Sequence, residues 1–383
     1  MNFDEIIEQT TLDDIRAVYE GRLHDSDTKK NISFFARVVA KMHPGWEYVP
    51  KDLGVENFKK AIENLYNSQK SVKQKLHGDN LLTELFHITA TTLKDNHLSI
   101  RKSDGTYPCS KQTIEQWENR KLNHPDGVIG KNVAYESNEL KNILPLSWQK
   151  LSNGMPILIA EDKEMKTGII AFSSCTCNEM NQNEVKKWKD ILTVIKNTMP
   201  NWKNVIVDLR QNTGGNGFQI QAVAEMLYGE KVPYCLKAQK SHSKETQIRE
   251  EFGKYPIQEQ ELWNWADHPF SEKKRNVYVL IDKQTGSAAE AIIPMLENYP
   301  DIHFIGERTC GCCQYGAIRP VPLLCGAQLH MGSIFRSYTD GMIECEGHKP
   351  DVICQPNENA YDKAYKLIQK KTQNKQKKAE NSL

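Results

Sequence analysis

The sequence predicts an α/β protein preceded by a helical domain. Four stretches before residue 95, at 17–23, 32–42, 55–76 and 80–93, repeat apolar residues at three- and four-residue spacing, the period of one helix face. Two apolar, β-branched runs, NVIVDLR (204–210) and NVYVLI (276–281), each lead through a glycine-containing turn into helical spacing. Strand, glycine turn, helix is the signature of a parallel α/β unit. At 383 residues the chain is long enough for two or three domains with a sizeable core.

Composition narrows the function classes. Lys plus Arg number 50 against 49 Asp plus Glu, a net charge of +1, so nothing global points to nucleic acid or an anionic membrane. No apolar run reaches the ~18 residues of a membrane span. The opening MNFDEIIEQTTLDDIRAVYE is acidic and amphipathic and lacks the parts of a signal peptide. A cytoplasmic protein is therefore expected, with its oligomeric state open. Ten cysteines in a chain this long are not a small-domain disulfide framework. Cys310, Cys312 and Cys313 cluster, but without a second C-x-x-C they read as free thiols rather than a zinc site, and neither metal nor cofactor is expected.

In chain order, residues 1–100 form a helical domain broken at His43-Pro44-Gly45 and His77-Gly78-Asp79. His43, His77 and His87 belong to no recognisable constellation and read as packing or surface residues. Asp95-Asn96 marks a turn and HLSIRK alternates like a short strand, so His97 sits where helices give way to a strand. Residues 101–160 read as a linker and β-rich segment, with strand pieces NVAYE and MPILIAE. Residues 161–370 are the core: strand TGIIAFSSC, helix 185–199, strand NVIVDLR, loop 211–217, helix 218–229, then NVYVLI, IHFIGERTCG, a hairpin turning at Thr339-Asp340-Gly341, and a helix over 359–373. The lysine-rich residues 371–383 read as a disordered tail.

The stretch Asp282 to Glu290 ends a buried strand, turns at Thr285-Gly286 and starts a helix near Ser287. A serine there stands at the sheet edge beside helix-start N–H groups able to meet an oxyanion. The same residues also fit a helix N-cap, with Glu290 as capping-box partner. The loop Asn212-Thr213-Gly214-Gly215 fits a tight turn, a phosphate cradle or a backbone oxyanion donor; it matches neither common phosphate-binding glycine motif.

Four motifs occur in order: VIVDLRQNTGGNG, VLIDKQTGSAAE, IGERTCG and DGMIECEGHKPDV. Together they resemble the catalytic domain of the C-terminal-processing (tail-specific) serine peptidases, over about residues 165–355. The resemblance implies an α/β core of the crotonase and Clp-protease type. It implies Ser287 as nucleophile, and Gly214 or Gly215 with Ala288 as the oxyanion hole. The best-known branch carries a lysine base in a G-K step, but here Cys312 follows Gly311, and a thiol does not replace a neutral amine. No typical PDZ module is recognisable in 101–160 either. The tricorn-like branch uses serine, histidine and glutamate. Its D-x-H step is similar to Asp95-Asn96-His97, and its glutamate corresponds to Glu344, with Glu346 two residues on. Imidazole is a base near neutral pH, and a carboxylate can orient it. His348 and His330 are reserve bases. The expectation is a peptidase acting on peptides or proteins through an acyl-enzyme. Its alternatives are a non-catalytic ligand- or peptide-binding protein on the same fold and a crotonase-type acyl-CoA enzyme.

Overall fold

The computed structural model describes residues 1–69, 76–108, 144–150, 156–172, 174–175, 182–232, 235, 237–252, 275–338, 344–356 and 358–380. Its first helices start where the sequence supplies caps. Asn2 and Thr11 form capping boxes with Glu5 and Asp14, and Asp27 accepts the Lys30 N–H at the head of Thr28–Met42. Each such cap satisfies N–H groups that the helix itself leaves open, worth about 1 kcal/mol. Helices Val55–Ser68 and Gly78–Thr92 complete this part.

The strands are β1 (Ser99–Arg101), β2 (Leu144–Lys150), β3 (Pro156–Asp162), β4 (Thr167–Phe172), β5 (Asn204–Asp208), β6 (Lys237–Gln239), β7 (Asn276–Ile281), β8 (Ile302–Gly306), β9 (Tyr315–Gly316), β10 (Arg319–Pro322), β11 (Gln328–Met331), β12 (Ile334–Ser337) and β13 (Val352–Ile353). Seven form the central sheet in the order β13-β8-β7-β5-β4-β3-β2. The pairs β4/β5, β5/β7, β7/β8 and β8/β13 are parallel, while β3 and β2 run antiparallel at one edge.

The uninterrupted apolar runs follow from burial on both faces. Successive residues point to opposite sides. Val205, Val207, Val277, Val279 and Ile281 pack with Trp188, Ile191, Val223 and Leu227 of helices Gln182–Thr198 and Phe218–Tyr228. Ile206, Tyr278, Leu280 and Ile305 pack with Tyr361, Ala364, Tyr365 and Ile368 of the last helix. Arg210, just beyond β5, pairs with Asp208 at 2.9 Å and lies 5.0 Å from the Tyr361 ring centroid.

Two small sheets, β1-β11-β10 and β6-β12-β9, link the helices to this core. Phe34, Phe35, Phe58 and Phe86 of the helical part share one apolar cluster with Tyr315, Val321, Leu329, Met331 and Phe335. The boundary expected at residue 100 therefore crosses a continuous core.

Other expectations change. MPILIAE becomes β3, a member of the central sheet rather than of a separate segment. Its Ile159 faces one core and its Leu158 and Ala160 the other. NVAYE lies outside the described residues, as does the turn at 339–341. The stretch before that turn divides at Gly332 into β11 and β12, which belong to different sheets. The last helix, Ala360–Glu380, runs into the segment expected to be a disordered tail, as far as Glu380. Lys, Gln and Ala favour helix, and Lys371 donates to Asn276 Oδ1 at 3.0 Å and Asp301 Oδ1 at 2.9 Å. Among the described residues no helix is long and apolar enough to cross a membrane.

Gly168 in β4 lies against the buried indole of Trp202, where a Cβ would overlap the ring. Trp202 Nε1 donates to Glu161 Oε1 at 3.1 Å, which restrains the indole. Gly168→Val is expected to cost about 1–3 kcal/mol by overpacking, read as a lower urea midpoint by far-UV circular dichroism. An unchanged midpoint would show that Trp202 turns aside freely.

Candidate active site

The site lies at the carboxyl ends of the parallel strands, where open α/β sheets place their crevices. After β7, Asp282 Oδ1 accepts the N–H groups of Gln284 (2.9 Å) and Thr285 (3.0 Å), folding the chain sharply back. It also accepts the N–H of Gln211 at 3.0 Å, from the loop after β5. Thr285 Oγ1 donates to Leu209 O at 2.9 Å, and Gly286 N–H to Asn212 O at 3.0 Å. The loop after β4 joins them, with Cys175 N–H donating to Gly214 O at 2.9 Å.

On this platform Ser287 has φ +53°, the left-handed region that costs an L-residue roughly 1–2 kcal/mol. It is not a helix N-cap. Gly286 holds the cap position without a side-chain bond, and Ser287–Ala289 is a single 3-10 turn followed by the short helix Ile292–Leu296. Glu290 is fully buried, and its carboxylate takes the Ser287 backbone N–H, the contact a capping-box partner makes, together with those of Gly311 (2.8 Å) and Cys312 (2.6 Å). Burial pushes the Glu290 carboxyl up to about 6, against the pull of those donors.

Gly214 has φ +98°, and a Cβ there would stand 2.6 Å from Ser287 Cβ and 2.7 Å from Gly286 O. Glycine is required so that this backbone can approach the serine. The Gly214 N–H is engaged by Asn212 Oδ1 at 2.9 Å. Of the two glycines, that leaves the Gly215 N–H as the candidate donor toward a bound oxygen.

His97 arrives from the loop between helix Gly78–Thr92 and β1, and its Nε2 lies 3.0 Å from Ser287 Oγ. Asp95 Oδ1 accepts the His97 backbone N–H at 2.7 Å and stands 3.9 Å from Nδ1. The reserve histidines sit elsewhere: His330 is in β11 opposite Ser99, and His348 packs edge-on against Phe304.

Glu344 is buried while Glu346 is exposed. They do not share a strand face, because Cys345 between them has φ +68° and residues 344–346 form a turn. Glu344 Oε1 accepts Asn96 N–H at 3.0 Å, and Oε2 accepts those of Cys313 and Gln314 at 3.1 and 2.9 Å. A Glu344 oxygen lies within 4.8 Å of a His97 ring nitrogen and of Cys312 Sγ. Burial, then the neighbouring charge of Asp95, raises the Glu344 carboxyl well above the ordinary range.

Cys312 Sγ is 3.4 Å from His97 Nδ1 and 3.2 Å from Nε2. Near-equal distances to both nitrogens place the sulfur over the ring face, whereas the nitrogen lone pairs lie in the ring plane. The trio His97, Cys312 and Glu344 thus does not converge on one metal-binding point, which needs directed donors. A hydrogen bond with Cys310, then burial, holds the Cys312 thiol well above its usual range, which opposes the thiolate that a cysteine nucleophile needs.

Residues 166–354 match the model of peptidase family S41. The chain carries an S41 peptidase domain. The match takes in Gly214, Ser287 and Glu344, whereas His97 comes from the helical part before it. A candidate peptidase from Parabacteroides merdae is similar in structure at 14% identity, with a TM-score of 0.57, covering 90% of this chain and 97% of that one. Mature CPAF complexed with lactacystin is similar at 13% identity, with a TM-score of 0.52, covering 92% and 97%. At these identities the likeness is one of fold: a mixed α/β architecture around a central mixed sheet. No curated protein matches the chain.

Sequence reading named Asp95 only as part of the step before His97 and His43 only as a packing or surface residue, and it passed over the contact of Cys312 with His97. The break at His43-Pro44-Gly45 was legible, but nothing in the sequence joins residue 43 to 95 or 97 to 312.

Glu290 in the S41 domain gives a pH test. Its folded pKa of about 6 exceeds the ordinary 4.5, so its stabilising contribution is complete below about pH 4.5 and lost as pH rises through 6. Relative to Glu290→Gln, the wild type is expected to lose on the order of 2 kcal/mol between pH 4.5 and 7, measured by urea unfolding at each pH. Parallel profiles would show that Glu290 does not titrate in this window.

Proposed function

We propose that this S41 domain is a serine peptidase in which Ser287 attacks the peptide carbonyl and His97 is its general base. The observation that carries the reading is the 3.0 Å contact between His97 Nε2 and Ser287 Oγ, made by a serine held at φ +53° on the carboxyl edge of the sheet. A hydroxyl needs a base within hydrogen-bond reach to become a nucleophile. In the tautomer with the proton on Nδ1, Nε2 accepts the Oγ proton as Oγ–C bonding begins. The imidazolium so formed lies among Asp95 and Glu344, and negative charge there favours it.

The tetrahedral oxyanion would be met by the N–H groups of Gly215 and Ala288, the positions left by the engagement of Gly214 with Asn212. His97 then returns the proton to the leaving amine, and water, deprotonated by the same imidazole, releases the acyl group from Ser287. The substrates are peptides or proteins, as family membership implies, and the core is read as the crotonase and Clp-protease type. A binding protein without turnover has no use for a strained serine within bonding distance of an imidazole, which disfavours that alternative.

The test is labelling with a fluorophosphonate probe. Wild type should label, and Ser287→Ala and His97→Ala should not. Hydrolysis of a susceptible peptide should fall by roughly 10³-fold or more in both variants. Folded wild type that fails to label would overturn the peptidase reading, and labelling that survives His97→Ala would remove His97 as the base.

A further inference from the structure

His43 closes the helix Thr28–Met42 and opens Pro44–Tyr48, and its ring meets Tyr315 edge-on at 4.7 Å. Its Nδ1 accepts the Gly45 N–H at 3.1 Å. That nitrogen therefore presents a lone pair, and in the neutral ring the proton is on Nε2. Nε2 faces Asp95 Oδ2 at 2.9 Å, and both side chains are fully buried. The other oxygen of Asp95 is the one that takes the His97 N–H and faces Nδ1. An unbroken chain of contacts thus runs from Gly45 through His43, Asp95 and His97 to Ser287.

We propose that His43 is a positioning residue for the peptidase reaction, acting through Asp95 to hold a carboxylate charge and a fixed loop geometry beside His97. The inference rests on the peptidase reading of Ser287 and His97. Capping alone uses only Nδ1, and an apolar ring would pack on Tyr315 as well. Placing an N–H donor against a carboxylate in a fully buried position is costly unless the two satisfy each other. Burial opposes the ionisation of Asp95, but the hydrogen bond from His43, with the His97 backbone N–H beside it, outweighs burial and keeps the carboxyl below its usual range. An ionised carboxylate this close favours the protonated imidazole that forms when Ser287 gives up its proton. Among the described residues, the ionisable groups around this pair include Glu344, Cys312 over the His97 ring, Cys310 bonded to Cys312, Glu290 behind the Cys312 loop, and the Tyr315 hydroxyl.

The experiment compares wild type with His43→Leu, His43→Gln and Asp95→Asn, each checked for folding by thermal melt. kcat and KM are measured across pH, and the His97 ring is titrated by carbon-13 histidine NMR. In His43→Leu and Asp95→Asn the acidic limb of kcat/KM and the His97 midpoint should both fall by about one pH unit or more. kcat should drop roughly tenfold, with KM little changed. Glutamine retains a donor at the Nε2 position, so His43→Gln should recover most of the shift, which a packing role would not produce. Folded variants with an unmoved midpoint and limb would overturn the proposal. If His43→Leu does not fold, Asp95→Asn and His43→Gln decide it. Absence of turnover in wild type would count against the peptidase reading alone, because the NMR titration still reads the influence of His43 on His97.

Discussion

The site depends on the close approach of two loop backbones, Gly214 against Ser287. With no Cβ at 214, the loop after β5 can lie on the turn after β7, and Gly286 is tied to Asn212. This contact over-determines the Ser287 backbone and allows it to stay in the left-handed region, where an isolated serine would relax. Asp282, bonded to Gln284, Thr285 and Gln211, holds both loops from the sheet side. The strain at Ser287 is supported by paired polar groups on each side of it.

His97 reaches that serine from a different part of the chain, and its placement is a packing result. The helices and the strands β9 to β12 share one apolar cluster. β1, two residues beyond His97, pairs with β11 in fixed register, Ser99 opposite His330. The helical part is thus held to the core on both sides of the histidine loop. Side-chain burial of this kind, at roughly 1.5–3 kcal/mol for each large apolar residue, gives the site its rigidity.

Three acids, Asp95, Glu290 and Glu344, are buried around the site, and each answers its desolvation differently. Asp95 has His43 and His97. Glu344 accepts three backbone N–H groups and is still pushed up by burial and by the charge of Asp95. Glu290 anchors the loop that carries Cys312 and is pushed up by burial. Negative charge is thereby favoured on Asp95, next to the imidazole that becomes cationic in the proposed reaction.

The sequence by itself determined the α/β core, the helical segments, the strand-turn location of Ser287 and the glycine loop at 214–215. These are written in local periodicity and turn chemistry, which neighbouring residues set among themselves. It also supplied His97 and Glu344 as candidates, but only through ordered motifs. It expected the last helix to end near 373, whereas the helix runs on to Glu380, because a lysine-rich polar segment reads by composition as a solvated tail although its residues favour helix. Only the tertiary structure decided that Glu344 and not Glu346 faces inward, through the left-handed Cys345. It alone engaged Gly214 with Asn212, set Cys312 over the His97 ring, and buried His43 against Asp95. The last two are contacts between segments whose separation in the chain carries no local signal, fixed by packing and by the need to pair every buried polar group.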